Sequence, residues 1–235
     1  YGDHRDLHYP LRRQRQMCIR DSLHPAHLDA AEFARLVEGG VILPYLDIPV
    51  QHAADRVLRG MRRGYGRIEL DRIFGRLREI DGLVLRTTVM TGFPGETAGD
   101  FRDLLDFLER ILFDHVGVFV YSPEEGTTAS GRKVSRRVAL SRRDAVVELQ
   151  MEISHERLAR LEGRRLRVLV DEACRPEERP ESSVTAIGRY AGQAYEIDGV
   201  TWLSGTLPAP GAVVEARVER AEAYDLFARI VRDFR

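Results

Sequence analysis

Gln51, His52, Glu96, Tyr121, Ser122 and Glu124 are the polar side chains of this sequence whose surroundings give them a reason to meet a ligand. They belong to three motifs, Pro49-Val50-Gln51-His52, Thr91-Gly92-Phe93-Pro94-Gly95-Glu96 and Tyr121-Ser122-Pro123-Glu124-Glu125-Gly126-Thr127, each placed where an apolar, strand-like run gives way to a helix or loop. Gly92 and Gly95 let backbone approach a ligand closely, and Thr97 opens a helix whose positive end lies beside them. Glu96 is suited to bond a ribose hydroxyl or an amine, or to complement that helix end as a bare charge. Gln51 and His52 are expected to project over the sheet edge. His52 has no His or Cys partner at ligand spacing, Ser122 lacks the Gly-x-Ser-x-Gly elbow of a hydrolase nucleophile, and the adjacent Glu124 and Glu125 point apart.

These motifs need elements that bring them together. Asp29 with Glu32 reads as a helix start, Phe33, Leu36 and Val37 as its apolar face, and Gly39-Gly40 as its end. Val41 to Val50 reads as a buried strand with Pro44 and Pro49 near its ends. Two helices follow, one with Val57, Leu58 and Met61 inward, the other from about Ile68 to Asp81 with Ile73, Leu77 and Ile80 inward. Leu83 to Met90 is the second strand. Thr97 then caps a helix whose stripe is Phe101, Leu104, Leu105, Leu108, Ile111 and Leu112, and His115 to Tyr121 is the third strand. Strand and helix alternate as in βαβ units, so the three motifs should emerge on one edge of a parallel sheet, where α/β enzymes place their chemistry. Three strands cannot close a barrel, which predicts part of a larger one with an edge left uncovered.

A long helix is predicted from Val138 to Leu161, ending at Gly163. Beyond it the period changes to two: Leu166, Val168 and Val170, then Val184 and Ala186, then Val214, Ala216 and Val218 alternate with polar residues between Gly/Pro turns. This reads as a small antiparallel β-barrel, giving domains over residues 23–162 and 163–235. Residues 1–22 fit neither period, and Arg15 to Ser22 resembles translated sequencing-adapter read-through, so this segment is set apart as artefactual.

Composition narrows the classes. With 43% hydrophobic residues and a net charge of −1, the chain is an ordinary globular protein rather than a polyelectrolyte grip on nucleic acid. No stretch has the length of a membrane span and no start resembles a signal peptide, so a cytoplasmic monomer without membrane contact is expected. Cys18 and Cys174 lie far apart with no ligand-spaced partner, which gives neither a disulfide framework nor a zinc site. Of 36 basic residues only Lys133 is a lysine, a skew typical of a GC-rich genome, and the arginine clusters Arg56 to Arg67 and Arg132 to Arg143 read as solvated faces.

Pro44 to Ala53, Val57 to Arg63, Arg86-Thr87-Thr88 leading into Gly92 to Thr97, and Tyr121 to Thr127 together resemble the radical S-adenosylmethionine methylthiotransferases, in colinear order from Leu23 to about Val231. Relatives that thiomethylate tRNA adenosine usually carry Pro-Val-Gln-Ser and Ser-Pro-Arg-Pro-Gly-Thr. Here Gln51-His52 and Ser122 to Gly126 favour the branch that modifies the twelfth small-subunit ribosomal protein. Gly188-Arg189, Glu196 to Gly199 and Ala223 to Leu226 resemble landmarks of a TRAM domain. From Gly163 to Arg235 there are 11 Arg against 12 Asp and Glu, which suits a protein substrate better than a dedicated RNA grip.

The resemblance implies the C-terminal half of a (β/α) radical S-adenosylmethionine barrel followed by the TRAM barrel. It implies a reaction that adds a methylthio group to the β-carbon of an aspartate, using S-adenosylmethionine and two 4Fe-4S clusters. Carried over, Gln51, Thr91, Gly92, Pro94, Gly95 and Glu96 would line the S-adenosylmethionine site, and His52, Tyr121, Ser122 and Glu124 would form a substrate-side rim. The cysteines that bind both clusters are absent, so no metal ligand is assigned. The chain is read as the C-terminal part of such an enzyme, truncated by sequence assembly and inactive alone. The partners implied are the ribosomal protein and, through the TRAM domain, the ribosome. Two other readings stay open: a tRNA adenosine methylthiotransferase, and a non-catalytic module binding RNA or ribosome.

Overall fold

Proline placement decides how the first strand forms. The computed structural model describes Pro25 and residues 28–123, 131–206 and 208–234; the expectations for residues 1–22, Cys18 and Glu124 lie outside them. Helix α1 (Ala30–Glu38) starts where the Asp29 carboxylate accepts from the amides of Ala31 and Glu32, and it ends at Gly39. Strand β1 is only Tyr45–Asp47, not Val41 to Val50, and Val41 and Leu43 are exposed. Pro49 has no N–H to donate, so the ladder breaks after Ile48. The Thr87 hydroxyl bridges the gap, donating to the Ile48 carbonyl (2.7 Å) and accepting from the Val50 amide (3.2 Å). Pairing resumes at Gln51, which bridges Val89 in parallel.

Helices α2 (Asp55–Gly60) and α3 (Arg67–Leu77) lead to β2 (Val84–Thr91), and α4 (Ala98–Ile111) leads to β3 (His115–Val120). The sheet order is β1-β2-β3, with β1 and β2 parallel in the register Tyr45 with Val84. Gly117 lies beside Thr88, and the Tyr121 amide donates to the Thr91 carbonyl (2.8 Å), so β3 advances in the same direction as β2. All three motifs therefore leave one edge. Leu70, Phe74 and Leu77 of α3 and Leu104, Phe107 and Leu108 of α4 are fully buried, and Phe74 meets Phe107 edge to face at 5.8 Å.

Helix α5 (Arg136–Ala159) follows, and the chain divides into two compact units within it. One comprises the residues up to Ile111 with Val116–Val146, the other Leu112–His115 with Val147–Arg235. In the second unit Gln150 donates to the Phe113 carbonyl (2.9 Å) and Ser154 to that of Asp114 (2.7 Å), while Leu158 packs on Val218, Ala221 and Leu226.

Strands β4 (Arg165–Ala173), β5 (Val184–Tyr190), β6 (Thr201–Ser204), β7 (Val213–Ala221) and β8 (Leu226–Phe234) close a barrel in the order β4-β5-β6-β8-β7. The alternating residues Val168, Val170, Ala186, Val214 and Ala216 fill its core with Leu203 and Ala228. Four pairings are antiparallel. The fifth, β6 with β8, is parallel, because the β7–β8 hairpin inserts β8 beside β6 and places β7 against β4. Gly199 permits the tight passage before β6: a Cβ there would stand 2.0 Å from the Tyr224 carbonyl oxygen.

Candidate functional site

Two left-handed backbone positions mark the strand ends. Gln51 has φ 66°, uncommon for a side chain with a Cβ, and is held there because its amide donates to the Thr88 carbonyl (2.8 Å) and its carbonyl accepts from the Met90 amide (2.7 Å). Gly92 has φ 81° directly after β2, and a Cβ there would lie 2.4 Å from that of Ala139 on α5. The buried Thr91 hydroxyl donates to the Ala139 carbonyl (3.0 Å), so strand end and helix are joined at two adjacent residues.

Glu96 sits beneath the loop between them. Its side chain is fully buried: Oε2 accepts from the amides of Gly92 and Phe93 (3.0 Å for the latter), and Oε1 pairs with Arg142 Nη1 at 2.9 Å. Burial pushes its carboxyl above the ordinary range, against the pull of Arg142 and the two amides. Arg56 fixes the far side of the loop by bonding the Gly95 carbonyl (2.6 Å) and Asp100. Thr97 and Asp100 form a reciprocal cap, the Thr97 amide donating to Asp100 (2.6 Å) and the Asp100 amide to the Thr97 hydroxyl (3.2 Å). Burial would raise Asp100, but the bonds from Arg56 and Thr97 hold it below the usual carboxylate range.

His52 is fully buried and has no surface at the rim where the sequence placed it. The chain turns inward after Gln51, and His52 Nδ1 accepts from the Ala54 amide at 3.0 Å. Desolvation lowers its pKa to about 4, with Asp100 pulling upward and Arg142 downward, so the ring is neutral at pH 7 with its proton on Nε2. Nε2 is buried without a hydrogen-bond partner among the described residues.

The open space lies on the other side of the loop. A cavity of about 810 Å³ is lined by Gly92, Pro94, Tyr121, Ser122, Phe119 and Ala139, with Lys133, Arg136 and Arg143 on its wall. Tyr121 meets Phe93 edge to face at 5.3 Å. Its size suits a nucleoside-sized ligand with room beside it. Thus Gln51, Thr91, Gly92, Pro94, Gly95, Glu96, Tyr121 and Ser122 gather at one end of the sheet. Glu96 spends both oxygens within the chain, whereas Gly92, Pro94, Tyr121 and Ser122 face the cavity.

Arg56, Asp100, Ala139 and Arg142 were not singled out by the sequence. Arg142 belongs to a cluster read as a solvated face, yet its side chain is 12% exposed. Only its position one helical turn after Ala139 hints at this role.

The sequence profile of the Radical SAM superfamily matches residues 15–108, and that of the TRAM domain matches residues 163–231. The chain thus joins part of a radical S-adenosylmethionine α/β barrel to a TRAM β-barrel. It is 42% identical over 193 residues to the ribosomal protein uS12 methylthiotransferase RimO of Anaeromyxobacter sp. (strain Fw109-5), covering 81% of this chain and 40% of that protein. To the protein of the same name from Klebsiella pneumoniae it is 47% identical over 197 residues, covering 82% and 43%. The chain belongs to the RimO-type radical S-adenosylmethionine methylthiotransferases, and it spans about two fifths of the length of the curated relatives it matches. Among solved structures it overlaps coproporphyrinogen III oxidase (HemN) from Escherichia coli with 15% identity and a TM-score of 0.48, over 85% of this chain and 45% of that one.

Proposed function

We propose that this chain forms the S-adenosylmethionine-facing loop, part of the substrate-side rim and the TRAM domain of an enzyme that adds a methylthio group to the β-carbon of an aspartate in ribosomal protein uS12. The observation that carries this reading is the braced Gly92–Gly95 turn at the strand ends, opening on a cavity of about 810 Å³. The nucleoside fits the residues present: Gly92 and Pro94 supply a wall without side-chain bulk at the glycine, while Thr91, Gly95 and Gln51 stand beside them at the strand ends. Tyr121 and Ser122 form the rim toward substrate. S-adenosylmethionine would supply the radical precursor and the methyl group. This chain's own part is to orient the nucleoside and to shut water out with Tyr121, which is backed by Phe93.

The iron-sulfur clusters of the family do not fit what is here. Among the described residues no group of three or more His, Cys, Asp or Glu could hold a metal, and Cys174 is a buried thiol in the barrel whose pKa burial raises, unsuited to ligation. No chemical step is therefore assigned to a cluster on this chain, and the chain alone is expected to be inactive. The TRAM barrel is the part proposed to contact the ribosome. Among the described residues no helix is long and apolar enough to cross a membrane.

Titrating S-adenosylhomocysteine into the 15N-labelled chain tests the site: amide shifts should concentrate at Gly92, Gly95 and Tyr121. Shifts elsewhere, or none at millimolar ligand, overturn it. Anaerobic reconstitution with iron and sulfide should yield no 5′-deoxyadenosine from this chain. For the full-length protein, thiomethylation of uS12 and not of tRNA is the expected result, and the reverse selects the tRNA-modifying branch.

A further inference from the structure

We infer that Arg142 is a positioning residue that holds the Gly92–Gly95 loop in shape through Glu96, without touching a ligand itself. The Glu96 carboxylate is a junction with no surface of its own. One oxygen gathers two consecutive loop amides, Gly92 and Phe93, and the other faces Arg142 Nη1 at 2.9 Å. A carboxylate this deep is stable as an acceptor for those amides only while a cation stands opposite. Arg142 is itself fixed, lying over the Phe101 ring at 5.4 Å and donating to the Glu96 carbonyl at 3.4 Å.

The same helix face makes the loop's other contacts. Ala139, three residues before Arg142, takes the Thr91 hydroxyl bond and leaves no room for a side chain at position 92. Arg142 is absent from the cavity wall formed by Gly92, Pro94 and Ala139, so its effect on a bound molecule must pass through Glu96. One chemical consequence follows. Because Glu96 consumes the Gly92 and Phe93 amides, the loop cannot serve as an anion-binding nest and offers a ligand only its Cα surface and carbonyls, a wall fit for a nucleoside but not for a phosphate.

Amide hydrogen exchange by NMR on the 235-residue chain tests the bracing independently of any ligand. In Arg142→Gln the protection of Gly92 and Phe93 should fall at least tenfold while that of Leu85 in β2 stays within twofold. Unchanged protection of the two loop amides, or an equal loss at all three, overturns the inference. Should the Gln variant fail to fold, Arg142→Lys decides: a point charge on a different stem should lower protection at Gly92 and Phe93 at least threefold, and wild-type values would overturn the inference. A second readout rests on the function proposed above. Affinity for S-adenosylhomocysteine should drop about tenfold in Arg142→Gln at a temperature where wild-type exchange at Leu85 shows the variant folded, and unchanged affinity overturns the link to ligand. If the wild-type chain binds no nucleoside, the proposed function fails while the exchange result still stands.

Discussion

His52 shows what burial does to a titratable group whose Nε2 has no hydrogen-bond partner among the described residues. Its pKa of about 4 in the fold against 6.5 in an unfolded chain means that the unfolded state binds a proton first as pH falls. Stability from this residue is complete above pH 6.5 and is lost progressively as pH falls from 6.5 to 4, by about 3 kcal/mol in all. Urea denaturation at pH 7.0 and pH 4.5 should show this loss, and His52→Gln should remove most of the pH slope in that window. An NMR titration placing His52 near 6.5 would refute the account. Its depth was not legible in the sequence, since a His one residue past a strand end has no periodic neighbour to say which way the chain turns. Arg142 was hidden for a different reason: among 36 basic residues, nearly all arginine, one buried ion pair leaves no compositional trace.

At the level of elements, the contact between the end of β2 and α5 is tight enough to be measured. Gly92→Ala meets two penalties, a left-handed φ of 81° and a Cβ 2.4 Å from that of Ala139, and should cost about 2–4 kcal/mol in chemical denaturation. The penalties are separable. Adding Ala139→Gly should remove the clash but not the backbone strain, giving a coupling of at least about 1 kcal/mol between the two changes. Strict additivity would mean that the two residues are not pressed together in solution. The helices and strands themselves were largely readable, because Ile73 and Leu77, or Val168 and Val170, repeat at the period of their element and are buried. The reading failed where side chains stand in for backbone: Val41 to Val50 looks mainly apolar, but Pro49 interrupts the ladder and the Thr87 hydroxyl completes it. Thr201-Trp202-Leu203-Ser204 is too short for its alternation to announce a strand, yet Leu203 is fully buried.

Over the whole molecule, the division into two compact units within α5 makes a prediction about how instability spreads. Leu203 is fully buried in the barrel core among Val168, Val170, Ala186 and Ala228, and all of those partners belong to the unit that begins again at Val147. Truncating it leaves a cavity that a closed five-stranded barrel cannot collapse, so Leu203→Ala should cost about 3 kcal/mol. If each unit has its own cooperative core, that loss appears in the exchange of barrel amides such as Val170 and Ala216, while Leu85 and Val89 of β2 exchange as in the wild type. The Gly92–Gly95 loop would then keep its shape in a chain whose barrel is failing, and the S-adenosylhomocysteine shifts expected at Gly92 under the proposed function should survive the substitution. Exchange that rises equally in β2 and in the barrel would instead mean that α5 transmits the loss along its length and that the chain unfolds as one body.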